Sequence, residues 1–509
     1  MGRVTVFSLS DCPHCKRTKA ALTEHGISFT EISLSSHPEK RSDMLSLADK
    51  LTVPQVFFND QHIGGADDTL ALLNEWGANA KDRFQEEVES KPDPADPRLA
   101  LPTSPPVVEK PAPPRDQEKS IRLPDGIMVT VLEITNTLKS ILPRQTLKYN
   151  LTIYKNAFKG TDAVKALMKE YSLQTPEEAV KFGVYLQESS ILHHVVKEHV
   201  FCNNKKFFRL QCYQQPDILN SFRIWTERVD DEPMNLLQRL KKLLGNIESA
   251  VTNDKGLVDY KNAYKHEQFS TFEEAVCELQ GINMGKMDNR TRLAFGINLY
   301  NLMIKYAFMK VGIGSTTLAR GTFFSHVKFN VGGDILSFND LENGVLRGNA
   351  APPYSFFAPF SKTDPRRRLA LDKADCRIHF ALNCGAKSCP PVKNFTASAV
   401  NEELRIVAQA FAEQEDNVRL VVEKNEIYLN KILSWYGIDF ASSKDLLPEK
   451  VVTFLRCEKK QSLQVMIDSG KKISVYFNEY DWSTNASDYV LFDSAVLKAD
   501  VMTVKALLG

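Results

Sequence analysis

Two cysteines stand two residues apart in Cys12-Pro13-His14-Cys15. Their spacing allows a dithiol redox pair, half of a metal site, or two buried thiols that serve only as small hydrophobes. A second group lies far along the chain, in "RIHFALNCGAKSCPPV", where "RIHFAL" reads as a strand running into a turn and His379, Cys384 and Cys389 follow at intervals of five. One reading is a thiol nucleophile on Cys384 or Cys389, with His379 or His326 as base and Asp481, Asn298 or Asn301 as orienting group. Another is an H-x4-C-x4-C metal site, which still needs a fourth ligand. The third is a structural turn with packed cysteines. His193, His194 and His199 also suggest a metal, but neighbours on a strand face opposite ways, so His193 and His194 do not share a site.

The elements around Cys12 narrow its chemistry. "RVTVFSL" reads as a strand from Arg3 to Leu9, and Lys16 to His25 as a helix stopped by Gly26. Ile27–Leu34 is a second strand; "TVPQVFFND" and "QHIGGADD" are two more joined at Asn59-Asp60, followed by a helix to Trp76. Cys12 then sits where a strand ends and a helix begins. Unpaired N–H groups and the positive end of the helix dipole favour a thiolate there. Lys16, Arg17 and Lys19 add positive charge, and Asp11 opposes it. The expected result is a Cys12 thiol acidified from its usual value of about 8.5, with Cys15 one turn in and less exposed, placed to attack a mixed disulfide. C-x-x-C at such a junction reads as a redox motif.

The rest of the chain bounds the setting. With 509 residues, 43% hydrophobic and 25% charged, it is long enough for about two to four domains of ordinary globular composition. A formal charge of +1 gives no field that points to nucleic acid. The apolar window 295–314 is broken by Asn298, Asn301, Lys305 and Lys310, too polar for a membrane span. No basic stretch followed by an apolar one opens the chain, so a secretory signal is not expected. Nine scattered cysteines, an odd number, do not make a disulfide framework, and a reducing, cytoplasmic setting is expected. Nine of the residues from Lys91 to Pro114 are proline, which predicts a semi-extended spacer isolating a first domain. Asp230, Asp231, Glu232 and Pro233 open a polar helical region dividing the second block from a larger third.

Three resemblances fit this division. "CPHCKRTK" and "TVPQVFFNDQHIGGADD", with the strand order, closely resemble glutaredoxin over residues 1–85. The resemblance implies a thioredoxin-like domain and glutathione as co-substrate. Cys12 would attack and Cys15 resolve, with disulfide-bonded or glutathionylated proteins as partners. It further implies a cis Pro54, a Val53 backbone pairing with glutathione, a close approach at Gly64 and Gly65, and Asp67 and Asp68 holding the γ-glutamyl end. Leu9 stands where the family often has lysine, and His14 where tyrosine is common. After a linker, 86–119, residues 120–215 resemble a DEP domain, a winged-helix-like adaptor, through "FKGTDAV", "EEAVKFGVYLQESSILHHVVKEHVF" and "FFRL". DEP domains bind partner proteins or acidic membranes, and Lys155, Lys159, Lys165, Lys197, Lys205, Lys206 and Arg209 would form such a face. Residues 216–509, a larger mixed α/β domain, resemble the domain of unknown function 547 family through "INLYN", "FNVGG", "DLENGVLR", "RIHFALNCGAKSCPP", "LNKILSWYGIDF" and "YDWSTN". That family supplies no reaction. The whole then reads as a multidomain α/β and α+β protein, a redox enzyme in intracellular signalling. The alternatives are a scaffold with a redox-sensing head, or a cysteine hydrolase or transferase in the C-terminal domain.

Overall fold

The computed structural model describes residues 2–9, 12–102, 120–149, 151–229, 233–390 and 392–502. Asp11 and Asp230–Glu232 lie outside them. The chain packs as two compact units that do not follow sequence order. One comprises Met1–Pro114, Cys376–Ala381 and Pro390–Tyr480; the other Arg115–Asp375, Leu382–Cys389 and Asp481–Gly509.

In the first unit a four-stranded sheet runs β2-β1-β3-β4, with β1 Val4–Ser8, β2 Phe29–Ser33, β3 Gln55–Phe58 and β4 Gln61–Gly64. β1 is parallel to β2 and antiparallel to β3, and β3 turns into antiparallel β4 through Asn59, at φ 52°. Every residue of β1 is buried, as for a central strand covered on both faces. α1 (Pro13–Glu24) and α3 (Ala66–Trp76) enclose a core with Val4, Val6, Leu22, Val56, Leu73 and Trp76. α2 (Lys40–Ala48) belongs to a second cluster with Phe7, Ile32, Met44, Leu45 and Phe57.

That second cluster also contains Leu99, Ala399 and Ile406. The proline-rich stretch is therefore not extended throughout. Residues 97–99 form a turn capped by Asp96, the buried Leu99 joins the core, and the Arg3 guanidinium donates to the Leu99 carbonyl at 2.9 Å. Residues 103–119 lie outside the described part. Nor does the N-terminal domain stand alone. The helix Val400–Glu413 packs on it, with Arg41 Nε donating to the fully buried Glu403 at 2.7 Å and Asp49 accepting from Arg405 and Arg456. A three-stranded sheet, Val418–Val421, Glu426–Leu429 and Ser474–Phe477, completes this unit. "RIHFAL" corrects the strand expectation. Cys376–Phe380 is a 3-10 turn that joins no sheet among the described residues; Phe380 stacks on Phe411 and His379 on Tyr436.

In the second unit three helices, Val131–Ile141, Gly160–Glu170 and Pro176–Glu188, pack with Phe158, Phe201, Phe208 and Leu210. The last helix begins with a capping box, Thr175 and Glu178 each bonding the other's backbone N–H, with Pro176 at its first position. The accompanying sheet includes Thr152–Lys159, Leu192–His194, Phe207–Leu210 and, from far along the chain, Asp500–Met502, which pairs antiparallel with Thr152–Tyr154. This distant strand moves Arg209 off the expected surface. Its guanidinium is fully buried, donating to Asp500 Oδ1 at 2.6 Å and to the Lys155 and Ala499 carbonyls. The 23-residue helix Asn289–Val311 is buried along most of its length, and Asn298 and Asn301, two of the residues that break its apolar run, are buried with it. No described helix is long and apolar enough to cross a membrane.

Candidate functional site

β1 delivers the chain to Cys12, which is the N-cap of α1. Its Sγ accepts the Cys15 backbone N–H at 3.2 Å, so the sulfur satisfies one of the orphan donors of the first helical turn. Pro13, in the first turn, has no N–H to satisfy. Cys12 is half-buried and Cys15 fully buried. Burial, with the hydrogen bond to Cys12, pushes the Cys15 thiol up to about 12. The inner sulfur thereby holds its proton firmly, while the outer one meets solvent and the helix N-terminus.

The surrounding cations contribute less than their number suggests. Arg17 is ion-paired with Asp67, and Lys19 binds Glu31 at 2.7 Å. Lys16 remains exposed. Opposite Cys12, the Val53–Pro54 peptide is cis, and the Val53 carbonyl oxygen lies 3.7 Å from Cys12 Sγ. Gly64 has φ 131° and a Cβ there would stand 2.2 Å from Asp68 Oδ2, so glycine is required where β4 leads into α3. The Gly65 N–H donates to Asp68 Oδ2 at 2.9 Å, and Lys50 lies 3.7 Å from the same carboxylate. Asp67 and Asp68 thus already have cationic neighbours. The Arg17–Asp67 pair, 50 residues apart, had no sequence signal. Leu9 is partly buried against the cluster of Phe7 and Phe57.

Of the later candidates, His379 lies in the first unit, where its Nε2 is 2.7 Å from Asp439 Oδ2 and both side chains are buried. Cys384 and Cys389 lie in the second unit, their sulfurs 3.2 Å apart. Asn301 accepts from the Asn383 N–H at 2.9 Å, and His326 Nδ1 is 3.1 Å from the Thr322 carbonyl on its own helix. Asp481 accepts the Ser483 N–H and lies 3.7 Å from Lys387 Nζ. His194 is buried with its ring 4.7 Å from that of His199, while His193 faces the other way. No group of three or more His, Cys, Asp or Glu placed for a metal occurs among the described residues.

A β-α-β unit followed by a β-hairpin and helix, with C-x-x-C opening the first helix and a cis-proline opposite, defines a thioredoxin-like domain. The sequence model of the glutaredoxin family matches residues 4–63; that of the domain found in Dishevelled, Egl-10 and Pleckstrin (DEP) matches 142–210; that of the protein family of unknown function DUF547 matches 284–412. Glutaredoxin 3 of Escherichia coli (strain K12) is 42% identical over 72 residues, 14% of this chain and 87% of that protein. A glutaredoxin of Pseudomonas aeruginosa is 38% identical over 72 residues, 14% of this chain and 86% of its own length. The solution structure of glutaredoxin from Brucella melitensis is 34% identical, covering 17% of this chain and 92% of that one, with a TM-score of 0.16. Through its N-terminal domain the chain belongs to the glutaredoxin family, and it joins that domain to a DEP domain and a DUF547 domain.

Proposed function

We propose that this chain is a glutathione-dependent dithiol oxidoreductase of the cytoplasm, its glutaredoxin head coupled to a signalling adaptor. The segments 1–85, 86–119, 120–215 and 216–509 serve as head, linker, DEP adaptor and C-terminal domain. The observation that carries this reading is the division of roles at α1: an accessible sulfur capping the helix above a sealed thiol that keeps its proton. Cys12 thiolate attacks one sulfur of a protein disulfide or glutathione mixed disulfide. That S–S bond breaks and the departing thiolate takes a proton from water. Cys15 then gives up its proton and attacks Cys12, releasing the second thiol and leaving a Cys12–Cys15 disulfide. Two glutathione molecules restore the dithiol and leave as glutathione disulfide. The Val53 backbone, exposed by cis Pro54, would pair with the glutathione backbone, Gly65 would allow its close approach, and Asp67 and Asp68 would hold its γ-glutamyl end. The DEP domain takes a protein or acidic-membrane partner, to which Lys165, Lys197 and Lys205 are exposed.

The experiment is an exchange assay on the full chain. Cys12→Ser is expected to lose reduction of both protein disulfides and glutathionylated substrate. Cys15→Ser is expected to lose the first and keep the second, because a second glutathione can resolve the mixed disulfide. Dithiol turnover persisting in Cys12→Ser would overturn the reading. A second reading, a scaffold whose head senses rather than turns over, is favoured by Leu9 in an apolar cluster and by Asp67 already paired with Arg17. Absence of turnover in the wild-type chain, with one stable glutathione adduct on Cys12, would select it.

A further inference from the structure

The loop 384–389 carries a feature that the glutaredoxin head does not use. Cys384 Sγ and Cys389 Sγ are 3.2 Å apart, and the Cys384 N–H donates to Cys389 Sγ at 3.3 Å. A covalent S–S bond is about 2.05 Å, so closure needs about 1 Å of travel, within the reach of side-chain rotation. The backbone is arranged to keep the sulfurs together. Gly385 has φ 86°, and a Cβ there would stand 2.3 Å from the Phe308 ring. Cys389 N–H bonds the Ala386 carbonyl at 3.0 Å, closing a turn. The loop is also pinned to a neighbouring segment: Lys387 N–H donates to Ser483 O at 2.7 Å, and the Asp481 N–H to Ser388 Oγ at 2.9 Å.

Access is equally specific. Cys384 borders a cavity of about 330 Å³, together with Phe308, Arg320, Phe323, Trp482 and Thr484. Cys389 does not line it. The Arg320 guanidinium lies 4.7 Å over the Trp482 ring, and the buried Thr484 Oγ1 has no hydrogen-bond partner among the described residues. This is a polar and aromatic recess with a thiol in its wall and a second thiol in contact with the first.

We propose that Cys384 and Cys389 are a second redox centre, a dithiol that closes to a disulfide by exchange with a small-molecule disulfide of the glutathione class admitted through this cavity. Cys384 loses its proton to water and attacks one sulfur of glutathione disulfide. The S–S bond breaks, one glutathione thiolate leaves, and Cys384 carries a mixed disulfide. Cys389 then releases its proton and attacks the Cys384 sulfur, expelling the second glutathione. Two thiols become one disulfide, and one glutathione disulfide becomes two glutathione thiols. The reverse sequence reduces the centre. A metal site would need about four ligands.

Lys387 lies between the two cysteines, so trypsin separates them into 378–387 and 388–393. The full wild-type chain is equilibrated in glutathione/glutathione-disulfide mixtures of increasing oxidation, quenched with N-ethylmaleimide and digested. The expected result is a disulfide-linked pair of these two peptides that replaces the alkylated peptides as the oxidised fraction rises and vanishes again on return to reduced glutathione. In Cys389→Ser, one glutathione should remain trapped on Cys384. Cys12→Ser carries the same measurement to a chain whose head is inactive, and the linked peptides should still form. Full alkylation of both peptides at every ratio, with no adduct in Cys389→Ser, would overturn the proposal. So would glutathione found on Cys389 alone.

Discussion

At the scale of single residues, Cys12 and Cys15 show how one helical turn separates two identical side chains. The outer sulfur replaces a missing carbonyl at the helix start; the inner one is enclosed and keeps its proton. Brief iodoacetamide treatment of the reduced, folded chain at pH 7–8 is therefore expected to label Cys12 and leave Cys15 unmodified, with Cys15 labelled only after denaturation or at strongly alkaline pH. Peptide mapping reads this directly, and equal labelling of both at pH 7 would contradict the burial of Cys15. The division was legible in the sequence because it depends on local facts: a strand, a proline, an i, i+3 spacing. The pairing of Arg17 with Asp67 and of Lys19 with Glu31 was not. A list of nearby cations overstates the local field when the fold brings acids to meet them, and only tertiary structure decides that.

At the scale of elements, helix starts carry their signal in local chemistry. Thr175, Pro176 and Glu178 announce their helix because each meets a need of its first turn. Short apolar runs were the least readable, since 376–381 coils where a strand was expected and no local signal separates the two. Packing between elements was also hidden. Gly183 lies inside the helix Pro176–Glu188, where alanine is intrinsically better by about 1 kcal/mol. Yet a Cβ there would stand 2.1 Å from the ring of Phe201, which is itself buried. Overpacking costs about 1–3 kcal/mol, so the clash outweighs the propensity. Gly183→Ala is expected to lower stability by a net 0–2 kcal/mol, about the difference of those two terms, in denaturant unfolding. A stabilised variant would mean that Phe201 moves aside freely.

At the scale of the molecule, sequence order and packing part company. Local patterns gave the head, the adaptor and the later motifs in order, but not that the helix Val400–Glu413 packs on α2 of the head, because contacts across hundreds of residues leave no periodic trace. Arg41 and Glu403 make the junction testable. Burial outweighs the neighbouring Arg41 and holds the Glu403 carboxyl above its ordinary value. A raised folded value means that the native state binds the proton more tightly than the unfolded chain. This contribution to stability is full below about pH 4.3 and is lost as pH rises through the folded value. Arg41→Ala leaves a buried carboxylate without its cationic partner and is expected to cost about 3–5 kcal/mol at pH 8, and less at pH 5, because lowering the pH favours the neutral carboxyl. Adding Glu403→Gln should recover much of the loss at pH 8. Urea unfolding of the three chains at both pH values measures this, and a pH-independent loss in Arg41→Ala would refute it.

The strand Asp500–Met502 has a practical corollary for anyone dissecting the chain. Excising residues 120–215 would strip Arg209 of the carboxylate that neutralises it and uncover backbone donors and acceptors along Thr152–Tyr154. Such a fragment would enter solution with a stranded cation inside and a raw sheet margin outside, a poor mimic of the adaptor in its parent. A split expression in which a peptide spanning Asp500 is supplied in trans offers a way to restore what the scissors remove.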